Sequence, residues 1–148
     1  MACDRRRAVC TVYDSPTLLL SGPFASTQST YDSMLPHSPY MQDSAAAILE
    51  RKGWAMGKDG IRHKGGVPLQ FSLLVPVTST QRQQMAVLLQ DMLKRVGARM
   101  DIERVAFPTF GSRTQPRDFA TSFEGIGLDP TPSGIRPDWS PTSAPGAG

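Results

Sequence analysis

Residues 69–105 read LQFSLLVPVTSTQRQQMAVLLQDMLKRVGARMDIERV. At the start of this stretch, apolar and polar residues alternate with the period of two that is typical of a strand. The apolar positions are Leu69, Phe71, Leu73 and Val75. Further on, apolar residues recur at the helical spacing and predict one continuous buried face. That face consists of Met85, Leu88, Leu89, Met92, Leu93 and Val96.

The predicted helix has a start signal and a stop signal. Thr78, Ser79 or Thr80 is a suitable N-cap residue. Gly97 is of the type that follows a helix C-terminus. A second strand is predicted at about 99–105. We therefore expect a right-handed parallel crossover, which indicates an α/β fold.

The flanking residues extend this pattern with shorter elements. We predict a helix at 45–52, capped by Asp43 or Ser44 and closed by Gly53, a turn-rich loop at 55–66, a short helix at 107–113 and a third strand at 118–126. Three regions result. They are an irregular N-terminal segment at 1–43, an α/β core at 44–128 and an extended Pro/Gly-rich tail at 129–148.

Composition and motifs exclude several classes of protein. A net charge of +3 over 148 residues is too small to indicate a nucleic-acid partner. No run of roughly 18 apolar residues predicts a membrane span. Cys3 and Cys10 are a disulfide, a metal pair or, as we favour, ordinary thiols. His37 and His63 are isolated, and no phosphate-binding loop, nucleophile elbow or zinc motif is present, so we expect neither an enzyme nor a cofactor or metal site.

The N-terminus shows no export signal. Asp14, Ser15 and Pro16 interrupt the region that would have to be apolar after the three arginines at 5–7. From the first 22 residues alone we therefore expect no signal peptide in this sequence.

Several segments, in this order, resemble the extracytoplasmic solute-binding proteins of family 5, the oligopeptide, dipeptide and nickel type. They are Ser44–Trp54, Asp59–Arg62 with Lys64–Leu69, Phe71–Val77, Gln81–Gly97, Arg117–Phe119 and Leu128–Pro130. Each segment is short, and their common order makes the resemblance specific. It covers about residues 43–139, and residues 5–24 fit the family more loosely.

The resemblance implies a partial lobe of the type II periplasmic-binding-protein fold, with strand–helix–strand crossovers on a mainly parallel sheet. Members of this family have two lobes, and the chain resembles the central part of the second. The implied function is that of the solute-binding component of an ABC-type importer. Such a component holds a peptide or a similar small solute between its lobes and delivers it to a membrane permease. The implied location is periplasmic or extracytoplasmic, with no nucleic-acid partner and no insertion into the membrane.

The resemblance also suggests ligand-binding residues in the loop before Asp129-Pro130. Peptide-binding members have an Asp four residues before this Pro, where Ile126 stands here. The predicted site therefore comprises Arg113, Glu124, Gly125, Ile126 and Asp129. Glu124 is the candidate counter-ion for a ligand ammonium group, and Arg113 is the candidate for a ligand carboxylate.

Two alternatives stay open. One is a non-catalytic interaction module, or a degenerate fragment without ligand binding, that uses the amphipathic 85–96 face against a partner or a second copy. The other is an enzyme with Glu124 and Asp129 as paired carboxylates, for which no partner base or metal set is visible.

Overall fold

The computed structural model describes residues 2–13, 19–20, 24, 26–28, 31–36 and 39–125. The chain divides into two compact units. The first comprises Met1–Thr17 and Pro39–Glu124, and the second comprises Leu18–Ser38 and Gly125–Gly148. In the second unit the described residues form short turns, one of them held by the Asp32 carboxylate, which accepts a hydrogen bond from the Met34 backbone at 2.8 Å.

All the helices and strands of the described residues lie in the first unit. The helices are α1 (Arg5–Val12), α2 (Gln42–Arg51), α3 (Thr80–Lys94) and α4 (Phe107–Thr114). The strands are β1 (Ala55–Met56), β2 (Arg62–Lys64), β3 (Val67–Pro68), β4 (Gln70–Pro76), β5 (Arg99–Val105) and β6 (Thr121–Ser122). They form an antiparallel sheet of order β1-β2-β3 and a parallel sheet of order β5-β4-β6. None of the helices in the described ranges is long and apolar enough to span a bilayer.

Strand β4 is the centre of the parallel sheet. It pairs with β5 from Gln70–Arg99 to Pro76–Val105, and with β6 at Leu73 and Leu74. Leu74 and Val75 are fully buried although they point to opposite faces, so the strand is covered on both sides. The predicted α/β fold with its parallel crossover is therefore confirmed.

Helix α3 covers one face of this sheet with Ala86, Leu89 and Leu93, and its Met85 and Met92 pack against α1. Met85, Met92 and Val96 are buried, and Ala86, which the periodicity did not mark, is buried completely. Ser79 is the N-cap residue, because its hydroxyl accepts a hydrogen bond from the Arg82 backbone at 3.4 Å. The 85–96 face packs in the core and is not available to a partner, which contradicts the hypothesis of an interaction module that uses it.

The prediction of an irregular segment at 1–43 is wrong for α1. Asp4 caps this helix by accepting a hydrogen bond from the Arg7 backbone at 3.0 Å. Ala8 is buried against Met85 and Met92 of α3, and the N–H of the cap residue Asp4 donates to Met92 Sδ at 3.2 Å. Short helices take most of their stability from such packing, which the local sequence does not show.

Three other boundaries differ from the prediction. Helix α2 begins at Gln42, after the N-cap residue Met41, so Asp43 lies inside the first turn instead of capping it. The 55–66 segment is not only loop, since β1 and β2 lie within it. Within the described part of the predicted third strand at 118–126, Thr121–Ser122 pairs with β4, and the Phe123 N–H continues this bonding to the Leu74 carbonyl. The predicted 129–148 tail lies outside the described residues.

Arg62 joins the two sheets. Its buried guanidinium donates from Nε to the Val96 carbonyl at 2.9 Å and from Nη1 to the Trp54 carbonyl at 2.7 Å. These carbonyls follow the ends of α3 and α2, where helix dipoles concentrate negative charge. The Arg62 backbone N–H also donates to the Gly97 carbonyl at 2.7 Å.

Gly97 closes α3 as predicted and lies against Arg62. Its φ is 81°, and the Ala98 N–H donates back to the Leu93 carbonyl at 3.0 Å. A Cβ on Gly97 would lie 2.8 Å from Arg62 Cγ and 2.8 Å from Met56 Cε. Gly97 therefore combines a left-handed backbone with a close approach of side chains.

Substituting Gly97 tests its close approach to Arg62, with Gly66 as the matched control. Gly66 has the same φ of 81° but open space around its Cβ position. Gly66→Ala should cost about 1 kcal/mol for the left-handed conformation. Gly97→Ala should cost roughly 1–3 kcal/mol more, because Arg62 must shift. Urea denaturation measures both, and equal losses of stability would contradict the close approach.

The turn before β2 predicts a pH dependence. The Asp59 carboxylate accepts from the Ile61 backbone at 3.1 Å and lies 3.1 Å from His63 Nε2, and these bonds, the backbone one first, lower the pKa of Asp59. A carboxyl whose folded pKa is depressed stabilises the fold above its unfolded pKa and loses that effect as pH falls through the folded pKa. The stability difference between wild type and Asp59→Asn should therefore shrink from about pH 5 to about pH 2 in urea titrations. A difference independent of pH would contradict this.

Candidate functional site

The carboxyl ends of the parallel strands meet at one edge of the sheet. Val77 follows β4 and donates its N–H to the Val105 carbonyl at the end of β5, at 2.9 Å. Phe123 follows β6 and donates to the Leu74 carbonyl at 3.0 Å. In open α/β sheets, ligands bind outside these carboxyl ends. We therefore treat this carboxyl edge as the candidate site.

Two apolar side chains are exposed at the carboxyl edge. Phe107, the first residue of α4, is 59% exposed, and Val77 is 47% exposed. The Phe107 ring stacks on the ring of Phe110, with centroids 6.5 Å apart and an interplanar angle of 17°. Phe110 is buried, whereas the ring of Phe107 beside it is left largely exposed.

Glu124 supplies a carboxylate at the same edge. It lies two residues beyond Ser122, the last residue of β6, and is exposed. Its Oε1 accepts a hydrogen bond from the Ser122 hydroxyl at 2.7 Å. The edge thus presents a negative charge as well as an apolar surface.

Arg113 is engaged within the chain. Its Nη1 donates to the carboxylate of Glu103, its Nε donates to the Asp118 carbonyl at 3.0 Å, and Nε lies 3.6 Å from Asp118 Oδ2. The side chain is only 26% exposed. It fastens the end of α4 to β5 and to the turn that leads to β6. Within the described part of the chain, no hydrogen bond or ion pair joins Arg113 to Glu124.

Of the other predicted site residues, the structure describes Gly125. It is exposed and belongs to the second unit. Ile126 and Asp129 lie outside the described residues. Their roles in ligand binding remain predictions. Sequence reasoning did not single out Phe107 or Val77, although both follow directly after predicted strands of a parallel unit, which is the signal that marks a carboxyl edge.

A second depression runs along the outer side of β5. This groove has a volume of about 690 Å³ and lies between α3, the Asp59–Ile61 turn and the start of β5. Its acidic side chains already have partners in the chain: Asp59 pairs with His63, Asp91 with Arg95, and Asp101 with Gln70 and Arg99. Each of these three carboxylates of the groove therefore already has a side-chain partner.

Strand β5 has a neighbour on one side only among the described strands. Arg99 donates its N–H to the Leu69 carbonyl, and the Val105 carbonyl accepts from Val77, so the odd-numbered residues of β5 bond to β4. The backbone groups of the even-numbered residues, Met100, Ile102 and Arg104, point the other way. Of these, the Met100 carbonyl accepts from Gln90 Nε2 at 2.7 Å.

Metal ligands and reactive thiols do not define a site in the described residues. No group of three or more His, Cys, Asp or Glu side chains is arranged there to hold a metal ion. Cys3 and Cys10 are free cysteines. Burial raises the pKa of the Cys3 thiol, which packs beside Ala8 and Met92, so this thiol is of the unreactive structural kind.

The chain matches the family model described as "Bacterial extracellular solute-binding proteins, family 5 Middle" over residues 1–145. It belongs to this family. The resemblance seen in the sequence is therefore confirmed, and with it the association of the chain with proteins of solute transport.

Individual relatives agree with this assignment. The uncharacterized protein YejA of Escherichia coli (strain K12) is 33% identical over 76 residues, which are 51% of this chain and 12% of that protein. The oligopeptide-binding protein AppA of Bacillus subtilis, solved with a nonapeptide, has a TM-score of 0.82 at 24% identity, with 90% of this chain and 28% of that chain covered. NikZ of Campylobacter jejuni, solved with Ni(L-His), has a TM-score of 0.75 at 18% identity, with 92% and 27% covered.

These structural likenesses confirm the fold of the family. The chain spans about a quarter of the length of the two solved structures and about an eighth of YejA. AppA and NikZ hold chemically different ligands on the same fold, so the fold alone does not choose a ligand.

The Arg113 contacts predict a structural effect that a surface ion pair lacks. Arg113→Ala should lower the free energy of unfolding by about 1–2 kcal/mol, because it leaves the half-buried Glu103 carboxylate without its partner. Arg95→Ala is the matched control, because Arg95 forms an exposed ion pair with Asp91 at 2.7 Å. The control should cost only about 0.3–0.5 kcal/mol. Equal urea midpoints for the two variants would contradict a clamping role for Arg113.

Proposed function

We propose that this chain supplies one side of the solute-binding site of an ABC importer and that the solute is a peptide or a similar small molecule. Membership of solute-binding family 5 over residues 1–145 is the observation that carries this proposal. The carboxyl edge supports it, because it combines exposed apolar side chains with a carboxylate in the place where α/β sheets bind ligands. The solute would lie against this edge.

Glu124 is proposed to pair with an ammonium group of the solute. On an open surface such a pair is weak, about 0–1 kcal/mol, because water screens both charges. It becomes stronger when a second protein surface closes over the ligand and excludes water. Gly125, Ile126 and Asp129 are proposed as further ligand-binding residues.

The mechanism is binding without chemistry. Two lobes close on the solute by a hinge motion, and the closed form docks on a membrane permease that takes the solute up. This places the protein outside the cytoplasmic membrane, as is usual for the family. A single surface offers only part of the contacts and none of the enclosure, so the chain alone should bind weakly.

A ¹⁵N–¹H correlation spectrum of the 148-residue chain, recorded with and without a pool of short peptides, tests the proposal. We expect shifts confined to residue 77 and to residues 106–113 and 121–129, with a dissociation constant weaker than about 1 µM, because half of the enclosure is missing. A matched pool with acetylated N-termini removes the ammonium group and should give smaller shifts at Glu124.

Two outcomes would contradict the proposal. A dispersed spectrum that does not respond to any peptide would favour the alternative of a chain without ligand binding. Binding at about 1 µM or tighter would show that this chain alone forms a complete site, which contradicts the two-sided mechanism.

A further inference from the structure

Phe107 is the most exposed aromatic side chain of the described residues, and its position is fixed. Ala106 before it is extended, with a φ of −63° and a ψ of 151°, and Pro108 after it restricts the backbone of the first helical turn. The Phe110 N–H donates to the Ala106 carbonyl at 2.8 Å, and the Phe110 ring lies nearly parallel to the Phe107 ring. The backbone that carries the exposed Phe107 ring is therefore fixed before any ligand arrives.

Val77 continues this surface on the neighbouring strand. Its N–H is bonded to Val105 and its carbonyl accepts from Gln83 Nε2 at 2.9 Å, so the backbone at Val77 is fixed on both sides. The side chain is left exposed beside the end of β5. We call the surface made by Val77, Ala106 and Phe107 the apolar ledge.

The apolar ledge carries no charged group of its own. The nearest acid along the strand, Glu103, is already paired with Arg113. A charged or strongly polar group of a ligand would lose water on the ledge without gaining a partner. A neutral apolar group would bury its own surface together with that of Phe107, and aromatic rings gain further from stacking.

We infer that Phe107 is a specificity-determining residue, which selects peptides that place an apolar, preferably aromatic, side chain on the apolar ledge. The inference rests on the proposed function, since it assigns the occupant of the same carboxyl edge. It adds a preference that the carboxylate at Glu124 cannot supply, because Glu124 recognises an ammonium group common to all peptides.

The test compares two tetrapeptides that differ in one side chain, Ala-Ala-Ala-Ala and Ala-Phe-Ala-Ala. Each is titrated into the full chain and followed by ¹⁵N–¹H spectra. The wild type should bind the Phe peptide roughly fivefold to tenfold more tightly than the Ala peptide. In Phe107→Ala this ratio should fall to about one, while the affinity for the Ala peptide stays nearly unchanged. Phe107→Leu, which keeps apolar area but no ring, should give an intermediate ratio.

Val67→Ala is the matched control. Val67 is 61% exposed, but it lies on β3 in the antiparallel sheet and not at the carboxyl edge. This control should leave the ratio as in the wild type, and dispersed spectra of all variants show that each is folded. An unchanged ratio in Phe107→Ala, or a wild type that binds both peptides equally, would overturn the inference and leave the proposed function standing. No binding of either peptide by the wild type would overturn both.

Discussion

Strand β4 is buried on both faces, and this condition arranges the rest of the first unit. A strand that is apolar on both sides needs cover above and below as well as a neighbour at each edge. Helix α3 packs on one face of β4, and α4 also contacts β4. Strands β5 and β6 are its parallel neighbours. Because both helices begin where parallel strands end, Val77 and Phe107 come to the same edge as Glu124. The candidate site is thus a consequence of how the core is covered.

The fold also depends on the buried guanidinium of Arg62, which has no carboxylate partner among the residues that the structure describes. Arg62 is held by carbonyl oxygens at the ends of two helices, and those oxygens would otherwise have no partner from their own helices. The arrangement satisfies donors and acceptors together and avoids the cost of an isolated buried charge. It also explains why Gly97 must lack a side chain, since the arginine stem occupies the space where a Cβ would stand.

Much of the fold could be predicted from the sequence, because periodicity reports burial directly. The 69–105 unit, an N-cap among residues 78–80 and the Gly53 and Gly97 helix ends follow from local patterns, and the structure shows that the cap is Ser79. Helix α1 does not, since its only fully buried residue packs on a helix more than seventy residues away. The two- and three-residue strands β1, β2 and β3 are too short to show a period.

The candidate site was harder to predict, because contacts that the local sequence pattern does not show decide which side chains already have partners. Arg113 has the charge of a ligand-binding residue, and only the fold shows that Glu103 and Asp118 already hold it. Strand β5 adds a consequence for solution behaviour, because no described strand pairs with its outer edge, and such an edge is the kind with which a second copy pairs. Symmetric antiparallel pairing centred on Ile102 would place Asp101 opposite Glu103, whereas centring on Asp101 would place Glu103 opposite Arg99. Like charges facing each other disfavour the pairing centred on Ile102, so Asp101 and Glu103 act against that edge-to-edge contact.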